Sequence, residues 1–133
     1  MTYTYEHRVR YRECDPMGVV YHTHVLDWFE AARTEALRAA GLPYRQLEES
    51  GVIMPVVEAN VRYHRPIHYD DLVEVDVQIE GVGIRVPIDY AVRRAGEERA
   101  RISGRVTLCF VNPTTGRPIQ PPATILGALR GSP

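Results

Sequence analysis

The sequence predicts an α+β fold in which one long helix lies against one curled antiparallel sheet, and three observations predict it. A single long segment, residues 26–40, carries the period of an amphipathic helix. The other regular segments alternate apolar and polar residues with the period of a strand. The breaks at residues 81–83 and 94–96 suit antiparallel hairpins, since a parallel crossover needs a dozen residues or more.

In chain order, residues 3–11 place Tyr3, Tyr5, His7, Val9 and Tyr11 on one face and Thr4, Glu6, Arg8 and Arg10 on the other. That is a strand with one drier face. Residues 12–24 break the period and contain Pro16 and Gly18, so they form a connection. The helix follows, with Leu26, Phe29, Ala32, Ala36, Leu37 and Ala40 on its buried stripe; alanine and leucine favour it, and Gly41 and Pro43 stop it. Residues 44–50 add short turns that end at Gly51. Strands are expected over residues 53–65, 72–80, 84–94 and 98–111. Residues 112–118 read as a turn, followed by a short strand or an irregular tail.

With 133 residues, 44% of them hydrophobic, the chain has material for one core, and a single domain over residues 1–133 is expected. The net charge of -1 gives no general pull toward nucleic acid or an anionic membrane surface. All 16 basic residues are arginine. The lack of lysine removes Schiff-base chemistry, the phosphate-loop lysine and the serine/lysine dyad together, because each needs an ammonium group. Cys14 and Cys109 show no pairing pattern, the N-terminal stretch lacks the apolar core of a signal peptide, and no run approaches the roughly 20 apolar residues that cross a bilayer. A cytoplasmic protein without membrane insertion is the expectation.

Two stretches carry chemistry. Residues 11–35 hold Asp15, Gly18, Val20, Tyr21 and His22 before the helix and the run Phe29-Glu30-Ala31-Ala32-Arg33-Thr34-Glu35 along it. Residues 63–75 hold Arg65-Pro66 and Tyr69-Asp70-Asp71-Leu72. With the order of elements, these stretches resemble the 4-hydroxybenzoyl-CoA thioesterase family of hot-dog proteins over nearly the whole chain. The similarity includes the bacterial acyl-CoA thioesterases associated with the Tol-Pal system. It implies a sheet wrapped around the helix, a homodimer with active sites between subunits, and a further pairing into a homotetramer. The implied activity is hydrolysis of acyl-CoA thioesters to carboxylate and coenzyme A, with no cofactor or metal. Asp15 matches the family's catalytic carboxylate, and the backbone amide of His22 matches the donor that polarises the carbonyl.

That assignment is chemically sufficient. A thiolate leaves readily, so hydrolysis needs an activated water or a nucleophile and a donor for the developing oxyanion. A carboxylate supplies either of the first two, and amides at a helix N-terminus supply the last. Base and nucleophile are both open to Asp15. The Asp15-Pro16 pair alone reads as a turn or a helix-start cap; the surrounding motif gives it a chemical reading.

Gly18 lets the backbone approach a ligand. Tyr21 suits either a hydrogen bond near the acyl group or packing. Val57, with Met54, Val56 and Tyr63, is expected along the acyl tunnel. Coenzyme A phosphates need cations, and Arg85 is the candidate after Gly83, where the sequence departs from the family's polar or basic run. His22, His24, His64 and His68 lack a metal-ligand spacing, Cys14 reads as a packed thiol, and Glu35 reads as an ordinary surface partner of a nearby arginine. Two other functions fit the same fold: a hot-dog dehydratase acting on enoyl thioesters, and a non-catalytic acyl-thioester binder.

Overall fold

Alternating valines and isoleucines build the sheet from its middle outward. The computed structural model describes residues 1–130 and contains β1 (Thr2–Arg8), α1 (His24–Ala39), α2 (Tyr44–Glu49), β2 (Val56–Tyr63), β3 (Leu72–Ile79), β4 (Arg85–Arg94), β5 (Ala100–Cys109) and α3 (Ala123–Leu129). The five strands form one antiparallel sheet in the order β1-β3-β4-β5-β2. Val73, Val75, Val77 and Ile79 of β3 share the buried face with Val86, Ile88, Tyr90 and Val92 of β4 and with Ile102, Val106 and Leu108 of β5. Period-two alternation gives each strand one wet and one dry face.

The sheet curls around α1, as the hot-dog resemblance leads one to expect. The helix buries Val25, Trp28, Phe29, Ala32, Ala36 and Leu37. Leu26, expected on the buried stripe, is 43% exposed. Val25 and Leu26 are apolar neighbours, so two phases of the stripe are readable; packing of the large Trp28 and Phe29 selects the one through Val25. At Gly104 of β5 the sheet has no room for a side chain, since a Cβ would stand 2.8 Å from the Phe29 ring and 2.7 Å from the Asn60 carbonyl oxygen. Phe29 then stacks on Tyr90 at 4.2 Å between ring centroids. The helix ends with Gly41 at φ 84°, and the Leu42 N–H donates to the Leu37 carbonyl. This is the glycine-terminated motif that satisfies the last helical carbonyls.

Three further differences from the sequence reading have local causes. The first strand stops at Arg8, and residues Tyr11–Glu13 wind into a 3₁₀ turn that buries Glu13. The expected tail contains α3, which buries Ile125, Leu126 and Leu129; seven residues are marginal as a helix on propensity alone, so burial of this apolar face holds it. In β2 the register against β5 shifts between Val56 and Glu58. That strand is the edge of the sheet and is exposed over nearly its whole length. Among the described residues no helix is long and apolar enough to cross a membrane.

Candidate active site

Residues 13–22 fold into a tight loop that delivers the chain from β1 to α1. Cys14 bridges to Val20, the Asp15 N–H donates to the Val19 carbonyl at 2.8 Å, and the Gly18 N–H donates to the Asp15 carbonyl at 2.9 Å. Gly18 has φ 77° with nothing within 4 Å of where a Cβ would be. The glycine is therefore required by its left-handed backbone, and the space around it is open. Its carbonyl accepts the Tyr69 N–H at 3.0 Å, which ties the loop to the segment before β3.

Asp15 is half-buried, and its two carboxylate oxygens differ. Oδ1 accepts the N–H groups of Met17 at 2.8 Å and Val19 at 3.2 Å. Among the described residues, nothing donates to Oδ2. The turn reading and the chemical reading of Asp15 thus coexist in one side chain: one oxygen shapes the loop and the other is available. Asp15 lines a groove of ≈ 430 Å³ with Tyr11, Cys14, Pro16, Gly18 and Tyr69. Tyr11 and Tyr69 meet edge to face at 5.6 Å.

His22 lies just before the Thr23 cap of α1. Among the described residues, no acceptor takes its N–H. Thr23 makes no side-chain cap; the His24 and Val25 N–H groups donate to the Tyr21 and His22 carbonyls at 3.1 and 3.4 Å, so the His22 N–H just ahead of them remains beside the positive end of the helix. The Tyr21 ring leans on the His22 imidazole at 4.3 Å and is half-exposed. A residue the sequence did not single out for this contact, Tyr63 of β2, donates its hydroxyl to the His22 carbonyl at 2.9 Å. Burial pushes the Tyr63 phenol above its ordinary pKa.

The loop also has a buried anchor that was not read from the sequence. Glu13, 6% exposed, accepts Trp28 Nε1–H at 2.6 Å, the Arg10 N–H at 2.7 Å and His7 Nε2 at 2.8 Å. Burial acts against its charge, but the bonds from Trp28, Arg10 and His7 outweigh it and hold the carboxyl below the usual glutamate range. His7 on the dry face of the first strand was the available signal, because a half-buried imidazole calls for a polar partner.

Asp15, Gly18, Tyr21 and His22 are thus gathered on one loop. Val57 and Arg85 are not with them in a single chain. They lie near the sheet end where Val56 pairs with Leu108 and Arg85 with Cys109, whereas Tyr63, His22 and the Asp15 loop lie at the other. The length of β4 alone separates the two ends by roughly 30 Å. Burial, then the charges of Glu13, Asp15 and Asp71, raise the Cys14 pKa and keep it a thiol, in line with packing. Glu35 pairs with Arg38 at 3.5 Å on the helix surface. Among the described residues, no three His, Cys, Asp or Glu side chains gather where a metal ion could be held.

A family model described as the thioesterase-like superfamily matches residues 9–129. YneP of Bacillus subtilis, which carries the provisional name acyl-CoA thioesterase, is 34% identical over 116 residues, covering 86% of this chain and 83% of that one. A 1,4-dihydroxy-2-naphthoyl-CoA hydrolase of Thermosynechococcus vestitus is 29% identical over 121 residues, covering 89% and 83%. The crystal structure of a DHNA-CoA thioesterase from Staphylococcus aureus superposes with a TM-score of 0.82 at 32% identity, over 90% of this chain and 80% of that one.

Proposed function

The chain belongs to the thioesterase-like superfamily as an acyl-CoA thioesterase of hot-dog fold, and from that premise we propose that Asp15 and the His22 amide carry out its hydrolysis of acyl-CoA. One observation supports the assignment above the rest. On a single loop, a carboxylate with one oxygen fixed and one available is followed by the His22 N–H, without an acceptor among the described residues, just before the buried helix.

The thioester carbonyl oxygen accepts the His22 N–H, and the helix N-terminus favours the negative charge that grows on it. Asp15 either takes a proton from water as that water adds to the carbonyl carbon, or attacks the carbon itself to give an anhydride that water then opens. In both routes the C–S bond breaks, coenzyme A leaves as its thiolate and takes a proton, and the acyl group leaves as a carboxylate. A donor of the His22 type contributes about 10²-fold to 10³-fold in rate.

A homodimer completes this reading. β2 presents an unpaired sheet edge with Val56, Val57 and Tyr63 about half exposed. Two copies joined along β2 about a two-fold axis run antiparallel, and if centred on the middle of the strand they set each copy's Val57 near the other's Tyr63. That juxtaposition brings the Val57 end of one chain to the His22 end of the other. Arg85 remains the candidate for coenzyme A phosphate. A homotetramer would need a second interface beyond this edge.

The test is thiol release from short-chain, long-chain and aromatic acyl-CoA, 1,4-dihydroxy-2-naphthoyl-CoA among them, by wild type and Asp15→Asn. Loss of turnover in the variant is the expected result, and equal activity would remove Asp15 from the reaction. Hydration of an enoyl-CoA without hydrolysis would point instead to a dehydratase, and binding without turnover to a carrier. Single turnover in ¹⁸O-labelled water separates direct attack by water from an anhydride that opens at the Asp15 carbonyl, because only that opening leaves a carboxylate oxygen of Asp15 in the product and the label on Asp15.

A further inference from the structure

We propose that Glu13 is a positioning residue for hydrolysis, holding the Asp15 loop and the His22 amide in register with each other through α1. This rests on the assignment of Asp15 and His22 made above. Glu13 is the one buried charged side chain among the described residues. It is only two positions from Asp15, yet its contacts reach three other parts of the chain. Oε2 accepts Trp28 Nε1–H from the second turn of α1. Oε1 accepts the Arg10 N–H and His7 Nε2 from the end of β1 and the turn that follows it. Its backbone carbonyl accepts the Tyr21 N–H at 2.8 Å, one peptide before the His22 amide. A single residue therefore fastens the strand leading into the loop, the end of the loop at Tyr21, and the helix whose start supplies the oxyanion donor.

The chemistry of this node requires a carboxylate. Two N–H donors and an imidazole nitrogen converge on its two oxygens, and an anion answers all of them. A glutamine of the same shape cannot. With its amide nitrogen toward Trp28 it faces the indole N–H; turned over, it faces the Arg10 N–H, which no tautomer of His7 relieves. Either way two donors oppose each other in a buried site, and one element must move. Displacement of catalytic parts by about 1 Å is enough to cost on the order of 10²-fold in rate. Glu13 touches neither of the proposed reacting groups directly, so its effect passes through the geometry of the loop.

The experiment compares Glu13→Gln, Trp28→Phe, Leu129→Ala and Asp15→Asn at a temperature where circular dichroism shows each to be folded. Leu129 is a buried α3 residue outside the proposed site and serves as a packing-loss control. For Glu13→Gln, kcat is expected to fall about 10²-fold with KM held within about threefold, the pattern of a geometry needed in the transition state. Trp28→Phe keeps an aromatic ring, removes one donor and lowers kcat about tenfold, so it reads the same link if Glu13→Gln does not fold. Adding Trp28→Phe to Glu13→Gln removes the opposed donor and restores part of kcat. A wild-type kcat in Trp28→Phe, or an equal loss in folded Leu129→Ala, overturns the positioning role. If Asp15→Asn is inactive while Glu13→Gln turns over normally, the positioning inference fails and the assignment of Asp15 survives. If Asp15→Asn is fully active, that assignment has failed.

Discussion

The Tyr63 hydroxyl, on the exposed edge strand β2, donates a 2.9 Å hydrogen bond to the carbonyl of His22 just before α1 begins. The peptide whose neighbour points its N–H toward the proposed oxyanion site is thereby held from the opposite edge of the sheet. Tyr63→Phe should therefore reduce kcat on the order of tenfold through looser placement of the donor. The same change should cost only about 1 kcal/mol of stability, the ordinary worth of one hydrogen bond. Steady-state thiol release and a urea titration measure the two effects; an unchanged kcat would show that the His22 peptide holds its place unaided.

Gly18 offers a cleaner stability prediction, because only its backbone is constrained. At φ 77° with open space around it, alanine should cost about 1 kcal/mol in left-handed strain and meet no clash. Asparagine tolerates that region better and should fall between the two. Denaturant midpoints should rank Gly18, then Asn, then Ala. An alanine variant as stable as wild type would mean that the loop readily adopts another conformation.

The central helix and strands β3 to β5 were legible because their periods are strong and those strands pair with their neighbours in sequence, whereas β2 reaches past β3 and β4 to pair with β5. Val73 to Ile79 and Val86 to Val92 declare one face each, and the hairpins between them leave little choice of pairing. Asp15, Gly18 and His22 were legible only as a pattern, since the Asp15-Pro16 pair alone reads equally well as the turn it also forms. Glu13 was not legible, because its burial depends on an indole 15 residues away arriving from the next helix. Tyr63 was expected in a tunnel wall, whereas its hydroxyl reaches the start of α1 across 41 residues of sequence. The phase of α1 turned on whether Val25 or Leu26 faced inward, a choice that packing against the sheet makes. The short α3 needs the core beneath Ile125, Leu126 and Leu129 in order to exist.

The Glu13 node gives a signed pH dependence. Its folded pKa is lowered, so its contribution to stability is full above the unfolded glutamate value and is lost as pH falls through the folded one. Protonation would also place a neutral acid against three donors. Urea midpoints measured from pH 7 down to about 3 should fall across that window, and the acid limb should be shallower in Trp28→Phe, which lacks one bond holding the pKa down. Asp76, held down chiefly by its bond from Arg93, and Glu97, held down chiefly by Arg101, contribute to the acid limb of both proteins and cancel in the comparison. Superimposable limbs would show that the Trp28 bond does not favour the charged form.

The unpaired β2 edge makes the last prediction one about assembly. Sedimentation should show a species of at least twice the chain mass, because β2 carries Val56, Val57 and Tyr63 about half exposed beside an open row of backbone groups, and pairing with a second copy covers both. In a two-fold pairing centred on the strand, each copy's Val57 packs near the other's Tyr63. Val57→Asp then buries two carboxylates without partners, one at each symmetry-related site. At about 1–3 kcal/mol per uncompensated polar group, the dimer should weaken by about 10²-fold or more. Neither residue lies in the core of the single chain, so the monomer should stay folded. Activity should fall with dilution in parallel with dissociation and return at high protein concentration, since the proposed dimer builds one site from the Val57 end of one copy and the His22 end of the other. A Val57→Asp monomer with full activity at every concentration would place the complete site within a single chain.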